Sequence, residues 1–299
     1  MIEDRSLGST IFNAGNHVFL IAMAVAWLYP MARVVALSLS SVNMILINEV
    51  TWFPRQPTLK GYTYLLIDNW LWRAYANTIL YASLGTLATL SLTSMIAYSM
   101  AIKTFVLRKF LTVYLAITMF FSGGLIPTYL LIKTLGGMDT LWVMVIPGAI
   151  TAYTVIVFRT FFQTHPDSLR ESAYIDGAND FTVLFRIILP MSKALLATFA
   201  VFTVLVHWNQ WFEALIYLTD PDRHPLQMVL RRLVHEEAGF VSTVWNGEDP
   251  RILAILEQHI HPKNLQNAAI VIVLLPVVIM FPYAQKYFMK GLMVGSLKS

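Results

Sequence analysis

The chain has no cysteine in 299 residues. Disulfides, zinc–thiolate centres and thiol nucleophiles are therefore excluded, and the redox compartment leaves no mark on the composition. Charge is scarce too: only 13% of residues are Asp, Glu, Lys or Arg, against about 25% in an ordinary soluble domain. No G-x-x-x-x-G-K-[ST] phosphate loop occurs, so the chain cannot cradle ATP by that device. H-E-x-x-H and G-x-S-x-G are also missing, and with them the zinc-protease and serine-hydrolase readings. No catalytic constellation and no metal site is expected: His259-x-His261 and His235-Glu236-Glu237 lack a third ligand at a workable spacing.

What is present is apolar. Hydrophobic residues make up 57% of the chain, and the mean hydropathy is +0.61. This composition points to a polytopic membrane protein. The net charge of +4 and the isoelectric point near 9.2 are explained by basic residues flanking membrane spans, not by nucleic-acid binding. The N-terminal "MIEDRSLGSTIFNAGNH" is a poor signal-peptide start, because Glu3 and Asp4 precede Arg5, so the first apolar run is read as an uncleaved span.

A helix needs about 20 apolar residues to cross a bilayer core of about 30 Å. Six segments qualify: 17–39, 74–102, 110–132, 141–163, 195–218 and 267–289. The fold class is therefore all-α, one membrane domain over 1–299. Residues 40–73 read as a loop with interfacial Trp52, Trp70 and Trp72, and 133–140 as a tight turn at Gly136-Gly137. With the N-terminus inside, the inner loops and tail hold eleven Lys and Arg against nine outside. The short basic sequences "KTFVLRK" and "QKYFMK" strengthen that bias. Both termini and the loop 164–194 are expected in the cytoplasm, and 219–266 outside. Arg33 is expected to snorkel outward. Asn77 and the Ser/Thr run 83–94 read as helix-packing contacts.

The segment "RESAYIDGAND", 170–180, is a charged, small-residue interruption between oily runs. Pro166 suits a first helical turn, Asp176-Gly177 is a turn signal, and Asn179 or Asp180 can cap a second helix. There Phe181, Leu184, Phe185 and Ile188 fall at i, i+3, i+4 and i+7, a stripe suited to the membrane face, and Pro190 ends it. The small Ser172 and Ala173 would let another protein approach closely, with Arg170 and Glu171 as charged contacts. Physics alone leaves a docking hairpin and an ordinary solvated loop equally open.

The residues "ESAYIDGANDFTVLFRIILP", 171–190, resemble the E-A-A-x(3)-G loop of ABC importer permeases. Glu171, Ala173, Asp176, Gly177, Ala178, Leu189 and Pro190 match, and Ser172 stands where the family has its first Ala. The likeness extends over the whole chain. It is strongest to the smaller permease of maltose-type carbohydrate importers, in the polysaccharide and lipoprotein-associated branch, as in "GGLIPTYLLIKTLGGMDTLWVMVIPGAI" and "HWNQWFEALIYL". The resemblance implies a type I permease fold in the bacterial inner membrane. It implies that 165–190 is a coupling loop seated on an ATPase, with Glu171, Ser172, Ala173, Asp176, Gly177 and Ala178 at the contact. It also implies a second permease subunit, two ATPase subunits that use ATP and Mg, an extracytoplasmic solute-binding protein and a saccharide substrate. The branch points to an oligo- or polysaccharide, with an acidic, alginate-like glycan as the leading expectation. Small neutral sugars are the alternative. An ion-coupled secondary transporter is the rival from another class, disfavoured by the lack of an internal repeat.

The expected fifth span carries His207, Trp208, Asn209, Gln210, Trp211 and Glu213 in an apolar run. Intramembrane polar groups face a cavity or a partner. His207, Trp211 and Glu213 would share one helical side at i, i+4 and i+6. Two readings stand: these residues line a substrate path, or they serve packing against a second permease. The outer loop after Pro225 reads as helical and as a docking surface for a binding protein, or as a cover over the pore. The tail "MKGLMVGSLKS" resembles the family C-terminus, which reaches the ATPases.

Overall fold

The computed structural model describes residues 7–67, 69–235 and 262–296. Among these, helices dominate and the extended pairing is a single antiparallel bridge between Ser40 and Pro57. The chain divides into two compact units, Met1–Asn69 with Arg232–Leu275, and Trp70–Arg231 with Pro276–Ser299.

The first unit opens with α1, Leu7–Ser38. Its apolar surface, from Ile11 to Val35, is exposed nearly all round, as expected of a helix in contact with lipid. Near its end, an Arg33 guanidinium nitrogen lies 3.5 Å from Asn48 Oδ1 in the following loop. The loop is not wholly irregular: α2, Val42–Leu46, and α3, Lys60–Ile67, fold within it. Trp52 is half-exposed and packs edge-on against Tyr29 at 4.8 Å. The end of α1 is tied by Asn264, whose amide nitrogen reaches the carbonyls of Leu37, Ser38 and Ser40 at 3.0–3.1 Å. The last carbonyls of a helix have no partner of their own, so one buried amide supplies what the helix cannot.

The second unit is built on α4, Asn69–Ala101. At 1.5 Å per residue its 33 residues span about 50 Å. Two apolar clusters lie along it. One joins Tyr98 and Met100 to Val155, Phe158, Val183, Leu184 and Ile188. The other joins Tyr81 to Ile132, Met144, Tyr217 and Met228.

Three of the six expected spans are interrupted. The segment 110–132 is two helices, α5 (Arg108–Phe120) and α6 (Leu125–Thr134), bent by 118°. The bend falls at Ser122-Gly123-Gly124, where Gly124 adopts φ +84°. The segment 141–163 is α7 (Leu141–Val145) and α8 (Ala152–Phe162), parted at Pro147-Gly148. Proline cannot supply the ladder N–H, and Gly148 takes a positive φ. After α9 (Asp167–Ile175) comes a helix Asp180–Met191, here α10, bent by 84° from α11 (Lys193–Trp208). A third break parts α11 from α12 (Phe212–Tyr217). The chain continues through α13 (Leu226–His235), the helix expected after Pro225, and α14 (Pro262–Ser296). By length and composition three described helices can cross a membrane, or five if each bent pair is one span.

Candidate functional site

Two places carry the sequence signals. The first is the hairpin between α8 and α11. Helix α9 starts one residue later than expected: Pro166 is its N-cap, with φ −60° and ψ 135°, and Asp167 occupies the first turn. Asp167 bridges Lys103 at 3.2 Å and Arg170 at 3.3 Å. The end of α9 is a Schellman cap. The Gly177 N–H donates to the Tyr174 carbonyl at 3.0 Å, and the Ala178 N–H to the Ala173 carbonyl at 2.9 Å. Gly177 adopts φ +81°, a conformation costly to any residue with a Cβ. Asn179 then caps α10, its Oδ1 accepting from the Thr182 N–H at 2.9 Å and hydroxyl at 3.0 Å. The Asp-Gly-Ala-Asn run is thus a complete helix-stop, turn, helix-start.

The hairpin's outward side carries Glu171, Ser172, Asp176 and Gly177. Ala173 does not present itself to an approaching protein, as the sequence suggested. It lies buried in the cluster with Tyr98 and Phe158, so the small side chain at that position lets α9 close on its own scaffold. Ala178 is half-buried. Asp180 clamps the pair of helices: its Oδ1 accepts from the Tyr174 hydroxyl at 2.5 Å and the Tyr98 hydroxyl at 3.2 Å. Burial, and secondarily this carboxylate, hold the Tyr174 phenol above its ordinary pKa. Behind the hairpin, His165 Nε2 lies 3.2 Å from Ser192 Oγ, and burial pushes its imidazole below the usual range.

The predicted apolar stripe of α10 splits. Residues Leu184–Ile188 form a π-helical turn, which offsets the helical register by one residue. Leu184 and Ile188 are buried, whereas Phe181 and Phe185 are exposed. Pro190 does not terminate the helix, which runs on to Met191 and turns at Ser192. Ser192 bonds back to the Ile188 carbonyl through its hydroxyl at 2.7 Å.

The second place is the break after α11. His207, Trp211 and Glu213 do not share one helical side, because α11 stops at Trp208 with Asn209 as its C-cap. His207 and Trp208 turn inward. The His207 ring covers Gly85, where an added Cβ would lie 2.2 Å from Nε2. Its Nδ1 is 3.0 Å from the Gln210 side-chain amide, a hydrogen bond that fixes the ring over Gly85. Trp208 is buried with Tyr75 edge-on at 6.3 Å. Asn209 and Trp211 turn outward, and Glu213 is half-buried. Two residues outside the expected set join them from α13. Gln227 Nε2 donates to Asn209 Oδ1 at 3.3 Å, and the Arg231 guanidinium lies 4.8 Å over the Trp211 ring. Their i, i+4 spacing on a helix after Pro225 was the available signal.

Beside this break, the segment 219–226 is fastened to its neighbours. Asn77 is not a helix-packing amide: it donates to the carbonyls of Asp222 and His224 at 2.8 and 3.2 Å. Tyr81 donates to the Arg223 carbonyl at 2.8 Å, Thr78 accepts from the Leu226 N–H at 2.8 Å, and Arg73 pairs with Asp222. From the other side Asp139, at φ 55°, accepts from the N–H groups of Thr219 at 2.6 Å and Asp220 at 2.9 Å, and from the Thr219 hydroxyl. The Thr219 hydroxyl first, and the Asp220 N–H next, hold the Asp139 carboxyl below its ordinary range. Glu236, Glu237, His259 and His261, with the rest of 236–261, lie outside the described residues.

Long helices with exposed apolar surfaces, a capped polar hairpin and a polar break between two helices are thus combined in one chain. The polygalacturonan/rhamnogalacturonan transport system permease protein YtcP of Bacillus subtilis (strain 168) is 32% identical over 291 residues, 96% of this chain and 98% of the relative. Protein LplC of the same organism is 36% identical over 290 residues, 96% and 95% of the two chains. A chain in the crystal structure of a bacterial ABC transporter involved in the import of the acidic polysaccharide alginate superposes with a TM-score of 0.87 and 29% identity, over 95% of this chain and 99% of that one. Residues 7–294 match a single family over nearly the whole length, and the chain belongs to it: the binding-protein-dependent transport system inner membrane components.

Proposed function

We propose that this permease forms half of a translocation path for an oligo- or polysaccharide bearing carboxylates. The observation that carries the substrate class is the cluster at the break after α11. An indole face, a guanidinium 4.8 Å above it and the amides of Asn209 and Gln227 stand together. Aromatic faces suit sugar rings, amides suit hydroxyls, and Arg suits a carboxylate bidentately. One relative's name specifies polygalacturonan/rhamnogalacturonan, and one structural neighbour serves alginate import. Glu213 stands beside the path, and His207 and Trp208 support it from within. Uptake of labelled oligouronate and of neutral oligosaccharide separates the readings. Arg231→Gln lowers uronate uptake roughly tenfold, the scale of one lost charge-assisted pair, and spares neutral uptake. Equal loss of both, or of neither, overturns the acidic assignment in favour of small neutral sugars or packing.

The system is completed by a second permease, two ATPase subunits that bind ATP and Mg, and an extracytoplasmic binding protein docked on 219–266. The hairpin 165–190 receives ATPase motion. What supports this is its surface: Ile175 is 87% and Phe181 65% exposed beside Glu171, apolar area that a partner would cover. Both termini then face the cytoplasm. Family membership sets aside the ion-coupled transporter.

A further inference from the structure

The turn between α4 and α5 and the end of α8 enclose a pocket of about 560 Å³. Its polar lining is Lys103, Arg108, Lys109, Arg159 and Thr112, without a carboxylate. Of these four cations, Lys103 alone has an acidic partner among the described residues: Asp167, which is shared with Arg170. Arg159 is half-buried in α8. One of its terminal nitrogens donates to Thr112 Oγ1 at 3.2 Å, and its Nε is buried with no acceptor. Four cations around one cavity repel each other unless an anion enters, and a buried N–H without an acceptor is destabilising.

The rest of the pocket is apolar: Phe105, Val106 and Val113. Val106 is 92% exposed. Beyond it Phe110, Val113 and Ile117, at i, i+3 and i+7 of α5, are all exposed. A basic pocket therefore opens onto an apolar helix face in a chain of the inner membrane. A free phosphate would use the first and leave the second bare. An acidic protein segment would do the same.

We propose that this pocket binds the headgroup phosphate of an anionic phospholipid, with Arg108, Lys109 and Arg159 as its ligands and an acyl chain along the exposed face of α5. The bridge from Lys103 to Asp167 places the bound lipid against the start of α9, so its charge competes with Asp167 for Lys103 and sets how firmly the hairpin is held.

The test is native mass spectrometry of the full chain, in whatever subunit complex it purifies with, titrated with phosphatidylglycerol and with phosphatidylcholine. Phosphatidylglycerol is retained roughly tenfold more strongly, and Arg108→Gln with Arg159→Gln abolishes the preference. Lys109→Gln, at an exposed position of α5, reduces it and serves if the arginine pair does not fold. Millimolar inorganic phosphate does not displace the lipid. A photo-cross-linker at Val106 captures lipid. Equal retention of the two lipids, undiminished preference in the lysine variant, displacement by phosphate alone, or capture of a protein at Val106 would each overturn the proposal.

Discussion

At the scale of single residues, contacts beyond hydrogen-bond reach in sequence decide what each polar group does. Gly85 is the clearest case. Nothing in "ASLGTLATL" marks it, yet the His207 ring occupies the space a methyl group would need. Gly85→Ala overpacks this contact and lowers stability by about 1–3 kcal/mol, read as a drop in the thermal midpoint of the detergent-solubilised chain. Gly85→Ala combined with His207→Ala recovers part of the loss. Asp139 is a second case. Its folded carboxyl titrates lower than an unfolded one, so it favours the fold above the ordinary carboxylate range, and the benefit disappears as pH falls through its depressed value. Amide exchange at Thr219 and Asp220, corrected for intrinsic rates, stays slow from neutral pH down to that range and accelerates below it. Asp139→Asn abolishes the step. Asp139 was unreadable in advance because its partners lie some 80 positions away along the chain.

At the scale of elements, turn chemistry was legible and helix continuity was not. Asp176-Gly177 and Asn179 announce a stop and a start, and the structure builds a Schellman cap and an N-cap there. Gly177→Ala forces a Cβ into the left-handed region at about 1–2 kcal/mol. The effect is confined to the hairpin and read as faster proteolysis near 177 with the membrane body intact. Long apolar runs, by contrast, concealed their breaks. Hydropathy sums composition over a window and does not register that Ser122-Gly123-Gly124, Pro147-Gly148 or Asn209-Gln210 turn the backbone. The π-turn Leu184–Ile188 likewise moved Leu184 and Ile188 off the face that a 3.6-residue period assigned to them.

At the scale of the whole molecule, the absence of cysteine becomes a tool. A single Ile175→Cys introduces the sole thiol. In native membranes, a bifunctional reagent from that thiol captures an ATPase subunit, and nucleotide changes the yield. Glu171→Lys weakens the capture and uncouples ATP hydrolysis from uptake. Capture of lipid alone, or none, refutes the coupling reading.

Composition and motif by themselves determined the membrane class, the helical fold, the place of the hairpin and its end caps. These depend on local quantities: transfer energy of side chains, missing or permissive backbone groups, and spacing within one turn. Tertiary structure alone decided which way those residues point. It turned Ala173 and His207 inward, brought Gln227 and Arg231 to Asn209 and Trp211, and left Arg159 in a basic pocket. Such placements depend on contacts between segments far apart in the chain, and no local pattern encodes which distant side chain will fill a given space.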